Sequence, residues 1–272
     1  MKPQIAAVFL DATVAQLELP ASDEEVMPSL RWGTVDAFPT PAYWLYQVLA
    51  RRLAGEGRGY RIGNTLAEEV SACLLGGHGM PASVGVAAFQ ALRTRGLLAS
   101  TPTAEELEAA LSTPLQIGSR SVRYRFVRQK SRYLAAALRQ LHEAPPPVLS
   151  GRVLRDALLT ISGIGFKTAS WVARNWLSAD DVAILDVHIL RAGALGGFLS
   201  PGLTVERHYL RLEEEFIAFS RAMRVRPSEL DAVIWLEMAS SARTVGRLLQ
   251  SGSTRSRTHP GRAHADEARL FD

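Results

Sequence analysis

Two glycines one residue apart, Gly163 and Gly165, sit between two stretches whose apolar residues recur at helical spacing. The run Leu158–His188 reads LLTISGIGFKTASWVARNWLSADDVAILDVH. A turn this short between two helices needs backbone conformations and close approaches that glycine tolerates best. The second helix then opens with unpaired N–H groups, which together with the helix dipole favour an anion such as a phosphate. Lys167 lies two positions after Gly165, and Asp186 follows nineteen positions after Lys167 at the end of an apolar run, Asp186-Val187-His188. An anion-holding turn, an amine and a carboxylate at fixed separations are the parts of one chemical site.

The rest of the chain reads as helix after helix. Pro41–Leu53 begins with proline and has apolar residues at helical spacing. Thr65–Leu75 and Pro81–Leu92 follow, on either side of the glycine-rich turn Gly76-Gly77-His78-Gly79. Thr103 with Glu106 forms a capping box that opens a fourth helix. Val122–His142 is long and amphipathic, and Pro145-Pro146-Pro147 then stops it. Beyond the glycine turn, Lys167–Leu177, Thr204–Met223 and Pro227–Ala239 read as helices, and Val182–Leu185 as a loop leading into a helix near His188. Ala6–Leu17 fits a helix, with Trp32 and Phe38 packed on the core. The division expected is an N-terminal helical lobe over 1–145, a second lobe over 146–250 carrying the glycine turn, and a mobile basic tail over 251–272.

Composition narrows the function. Apolar residues make up 47% and charged residues 21%, as in a globular protein. No apolar run is long enough to span a bilayer, and Asp11 interrupts the N-terminal apolar stretch, so neither a membrane span nor a secretion signal is expected. A single cysteine, Cys73, excludes an internal disulfide and any four-cysteine metal site, and fits a reducing cytoplasm. No histidine or cysteine spacing suits a metal. Net charge is +4, and the basic residues concentrate in Arg120, Arg123, Arg125, Arg128, Lys130 and Arg132, interleaved with Tyr124, Phe126 and Tyr133. Such a stripe suits a phosphate backbone, although an ordinary solvated helix face has the same composition.

At this point a resemblance emerges. Ile161–Ala169, ISGIGFKTA, resembles the helix–hairpin–helix motif of the DNA glycosylase superfamily, and Ile184–His188, ILDVH, resembles its aspartate segment. The separation of Lys167 from Asp186, Arg174-Asn175 after the motif, and the run Tyr124-Arg125-Phe126 … Lys130 … Tyr133-Leu134 are similar to the 8-oxoguanine glycosylase/AP lyase branch. The resemblance covers about residues 115–240. It implies an all-α, two-lobed glycosylase fold acting as a monomer on double-stranded DNA. No organic cofactor is implied, although hairpin carbonyls in the family can hold a monovalent cation.

The implied chemistry falls on named residues. Lys167 attacks the anomeric carbon of a deoxyribose as the base leaves, and the resulting Schiff base primes the strand for β-elimination. Asp186 stabilises positive charge developing on the sugar, a role compatible with capping a helix. Gly163, Gly165, His188, Arg125 and Lys130 are the expected DNA contacts. Trp171, one turn after Lys167, together with Asp231 and Trp235, is expected at the base pocket. Trp171 departs from the smaller or polar residue usual there, and the chain ends Leu270-Phe271-Asp272 where compact relatives place a basic pocket residue. His78 and Met80 are candidates for a wedge that fills the gap left by an extruded base. The expected activity is excision of a damaged base, 8-oxoguanine first, followed by strand cleavage. Two alternatives stay open: a monofunctional glycosylase for another modified, even foreign or hypermodified, base, and a non-enzymatic helix–hairpin–helix DNA-binding protein.

Overall fold

The computed structural model describes residues 2–55, 59–77, 79–241 and 245–248. The chain opens with an antiparallel hairpin of β1 (Gln4–Leu10) and β2 (Thr13–Leu19), Gln4 facing Leu19. The segment Ala6–Leu17 is therefore strand, not helix. Burial alternates along it, with Val8 and Leu19 inside and Ile5, Phe9 and Val14 outside, which is the two-residue period of a strand. A second small hairpin, β3 (Glu25–Met27) with β4 (Leu30–Arg31), precedes α1 (Pro41–Leu53). Trp32 is buried and Phe38 packs partly on the same core.

Helices α2 (Leu66–Leu75), α3 (Ala82–Thr94) and α4 (Ala104–Ser112) come next. Threonine hydroxyls at Thr65 and Thr103 cap α2 and α4, and the Thr103–Glu106 box is closed in both directions. A third hairpin, β5 (Leu115–Ile117) with β6 (Arg120–Val122), delays the long helix, so α5 runs Val127–Glu143 rather than starting at Val122. The basic stripe is accordingly divided: Arg120 lies on β6, Arg123 and Arg125 on the connector, and Arg128, Lys130 and Arg132 on α5. The connector is pinned by Tyr124, which is buried and donates to the Leu75 carbonyl at 2.7 Å. Then follow α6 (Gly151–Leu158), α7 (Phe166–Leu177), α8 (Val187–Gly196), α9 (Val205–Ala222) and α10 (Pro227–Ser240). None of the described helices is long and apolar enough to cross a membrane.

Two apolar cores result, and they do not follow the expected division at Pro145-Pro146-Pro147. Leu134 and Leu138 of α5 share one core with Leu154 and Leu158 of α6, so the prolines only separate two helices of one lobe. That lobe contains α2 to α7. The other joins the N-terminal strands and α1 to α8, α9 and α10, with Leu19, Trp44, Phe216 and Ile234 inside. The chain returns from the first lobe to the second between Val182 and Ala183.

A buried carboxylate holds that crossing. Glu213 on α9 accepts from Arg155 on α6 at 2.7 Å, from the Ala183 amide at 3.0 Å and from the Ser170 hydroxyl on α7 at 3.5 Å. Removing one partner of a buried ion pair strands the other's charge, so Glu213→Ala is expected to lower stability by about 3–5 kcal/mol in chemical denaturation. A change within about 0.5 kcal/mol, the range of an ordinary surface substitution, would show that this joint does not hold the lobes.

Candidate active site

The hairpin between α6 and α7 is built as its sequence requires. Gly163 has φ +85°, and a Cβ there would run into the ring of Tyr133 on α5. Both the left-handed backbone and the close ring exclude a larger residue. Ile164 is buried and anchors the turn, while Gly163 and Gly165 are exposed. Gly165 is the N-cap of α7, has no side-chain cap, and has open space where a Cβ would be. The first turn of α7 thus presents its backbone to a ligand from outside the chain.

Lys167 sits in that first turn with its side chain 39% exposed. Its partner arrives from the crossing segment. Val182, Ala183, Ile184 and Leu185 are all buried. The Tyr209 hydroxyl donates to the Ala183 carbonyl at 2.8 Å and accepts from the Leu185 amide at 3.2 Å. The Tyr209 ring stacks on Phe166, the neighbour of Lys167, at 4.9 Å. One tyrosine therefore fixes both approaches to the site. Burial pushes its phenol up, so it remains a donor.

Asp186 follows as the N-cap of α8. Its Oδ1 accepts from the amides of His188 at 2.8 Å and Ile189 at 3.1 Å. The cap sets the direction of the carboxylate, and Oδ2 lies 3.9 Å from the Lys167 Nζ. The amine and the carboxylate converge beside the open helix start.

The other candidates fall in different places. His188 is half-buried, its ring 6.3 Å from that of Trp235 in an edge-on arrangement. Trp235 is 43% exposed on α10. Asp231, one turn earlier on α10, is buried; its carboxyl is pushed from 3.8 to about 7 by burial, against Arg174 and Lys167 and with help from Asp186. It therefore belongs electrostatically to the same cluster. Trp171 is half-buried and lies against Gly76 at the end of α2, where a Cβ would meet its ring at 3.1 Å. Arg125 is exposed and lies with Phe126 beside Gly79, so the second glycine turn and the basic connector share a surface. Lys130 is half-buried, and burial lowers its ammonium. Met80 packs partly on the first core. His78 and the tail 251–272 lie outside the described residues.

Four residues that the motifs give no role in the site contribute to it. Arg174 faces Asp231 at 3.7 Å, and its guanidinium lies 4.2 Å from the centre of the Tyr60 ring. Glu213 and Tyr209 position the crossing segment from α9. Glu213 has a faint sequence signal: an acid on the face that also carries Tyr209, Leu212 and Phe216, where an unpaired charge would be costly. Tyr60 has none, since it lies in an irregular segment.

A two-lobed helical body with a glycine hairpin, an adjacent lysine and a capping aspartate between the lobes defines the helix–hairpin–helix glycosylase class. The structure of a trapped endonuclease III–DNA covalent intermediate shares this fold, with a TM-score of 0.51 at 19% identity over 71% of this chain and 82% of that one. The family model for 8-oxoguanine DNA glycosylase (Ogg-HhH) matches residues 60–225, and the chain belongs to that family. A Methanocaldococcus jannaschii protein named 8-oxoguanine DNA glycosylase/AP lyase is 32% identical over 136 residues, 48% of this chain and 61% of that protein, just under two thirds of its length. A Saccharolobus islandicus protein of the same name is 30% identical over 191 residues, 65% of this chain and 86% of its own length. The crystal structure of the M. jannaschii glycosylase superposes with a TM-score of 0.50 at 30% identity, covering 62% of this chain and 76% of that one.

The Asp231 carboxyl makes stability depend on pH. Its folded value near 7 lies above its ordinary 3.8, so the folded state holds the proton longer than the unfolded state. The stability this group contributes is complete at acid pH and is lost as pH rises through about 7. Asp231→Asn, which is neutral throughout, is expected to flatten the dependence and to melt higher than wild type on the alkaline side. Parallel melting curves for the two proteins across that range would contradict the assignment.

Proposed function

We propose that this protein is a bifunctional DNA glycosylase/AP lyase that extrudes a damaged base from duplex DNA, with 8-oxoguanine the first substrate. The reading rests on one observation above others: the Lys167 amine lies 3.9 Å from the Asp186 carboxylate, next to a helix start with no side-chain cap. A phosphate seated on that helix start brings a deoxyribose to the amine. The names and fold of the relatives support the same reaction.

The steps follow from the residues. The neutral Lys167 amine forms a bond to C1′ while the C1′–N bond breaks and the base departs with its electron pair. Positive charge developing on the sugar is stabilised by Asp186, whose carboxylate cannot turn away because two helix amides hold Oδ1. Loss of a proton from the amine and opening of the sugar leave a protonated imine. Removal of a C2′ proton then expels the 3′ phosphate. Trp235, exposed beside His188, is the surface on which an extruded base would stack, with Trp171 on the first lobe and Asp231 behind the reacting pair. The Leu158 and Ile161 carbonyls each accept one amide hydrogen within the hairpin and keep a second lone pair. They would hold the monovalent cation the family implies, which would draw a phosphate to the turn.

Borohydride reduction of the imine tests the mechanism. Wild type is expected to give a covalent adduct with 8-oxoguanine duplexes and Lys167→Gln none, while Asp186→Asn slows excision by about 10²–10³-fold. Excision without nicking in Lys167→Gln would favour attack by water. Absence of excision across a panel of lesions would leave a DNA-binding protein.

Arg120, Arg123, Arg125, Arg128 and Arg132 are all exposed. If about four of them neutralise phosphates, affinity for duplex DNA should fall by about two orders of magnitude between about 50 and about 200 mM salt. Affinity that does not change with salt would remove this surface from the interface.

A further inference from the structure

Helix α7 carries two cations seven residues apart, Lys167 and Arg174, which two helical turns place on one face. Two carboxyls stand opposite: Asp186 at 3.9 Å from Lys167, and Asp231 at 3.7 Å from Arg174. The two carboxyls are held differently. Asp186 is pinned by two amide hydrogens. The Asp231 side chain is 8% exposed and that of Arg174 9%. Asp231 Oδ2 and Arg174 Nε and Nη1 are buried and make no hydrogen bond. The Asp231 Oδ2 can take up a proton without breaking a hydrogen bond.

We propose, on the glycosylase reading given above, that Arg174 is a positioning residue for the amine chemistry: it decides whether Asp231 stands as a carboxylate or as a carboxylic acid behind the Lys167–Asp186 pair. The groups that act on Asp231 are Arg174 and Lys167 from α7, Asp186 at the start of α8, Tyr209 from α9, and Tyr60 from the segment before α2. Arg174 is the largest of the charged influences, and it favours the carboxylate. Burial opposes it and holds the proton to about neutrality. When Asp231 is neutral, Asp186 is the one negative charge beside the Lys167 amine; when Asp231 ionises, there are two. Arg174 thus acts on the amine through a carboxyl, without touching the sugar.

The test is single-turnover excision and borohydride trapping on an 8-oxoguanine duplex, from about pH 5 to about pH 9. The wild-type profile is expected to show an inflection near neutrality. In Arg174→Gln it moves to higher pH by about one unit or more, the scale of removing an adjacent opposite charge. In Arg174→Lys, which restores the cation, it returns toward its wild-type position, and in Asp231→Asn it disappears. A fall in rate by the same factor at every pH in Arg174→Gln, or an unchanged inflection in Asp231→Asn, overturns the proposal. If Arg174→Gln does not fold, the Asp231→Asn and Arg174→Lys profiles decide alone. No adduct and no excision with wild type at any pH would instead sink the glycosylase reading itself.

Discussion

The site depends on one buried carboxylate. Glu213 gathers Arg155 from α6, Ser170 from α7 and the Ala183 amide from the crossing segment. Three pieces of the first lobe and its exit are thereby tied to a helix of the second. Such a group is costly to desolvate and is tolerated only when its partners are complete. Complete, it fixes where the chain re-enters the second lobe, three residues before Asp186. Tyr209, one turn earlier on α9, extends the same hold to Leu185 and to Phe166. The short distance between the Lys167 amine and the Asp186 carboxylate is the far end of this chain of contacts.

Electrostatics then divides labour within the cleft. Lys167 is the exposed member of the cluster, while the side chains of Asp186, Arg174 and Asp231 are nearly buried beside it. The Asp186 carboxylate is oriented by two amides of a helix start, while burial pushes the Asp231 carboxyl up.

Much of the candidate site is legible in the sequence because its signals are local. Gly163 and Gly165 announce a turn, Lys167 follows it at fixed distance, and Asp186 before an apolar helix is a cap. The bounds of α1 are legible in full because Thr40, Pro41 and the apolar spacing all agree. The failures have equally physical causes. Gln4–Leu19 is a hairpin whose alternation is blurred by alanines on both faces, so it mimicked a helix. The β5–β6 hairpin is too short to show a period and was absorbed into α5. Pro145-Pro146-Pro147 marked a break in the helix but not in the core, because proline stops local structure without deciding what packs across the gap. Arg174 and Glu213 act through contacts distant in sequence, which no spacing records.

The central claim is that the residue 167 amine and the residue 186 carboxylate meet at one deoxyribose. The most direct measurement is peptide mapping by mass spectrometry of the borohydride-reduced protein–DNA adduct. The account predicts that the sugar remnant is carried on the Phe166–Leu177 helix, at Lys167. A remnant on any other lysine or on the N-terminal amine would contradict it.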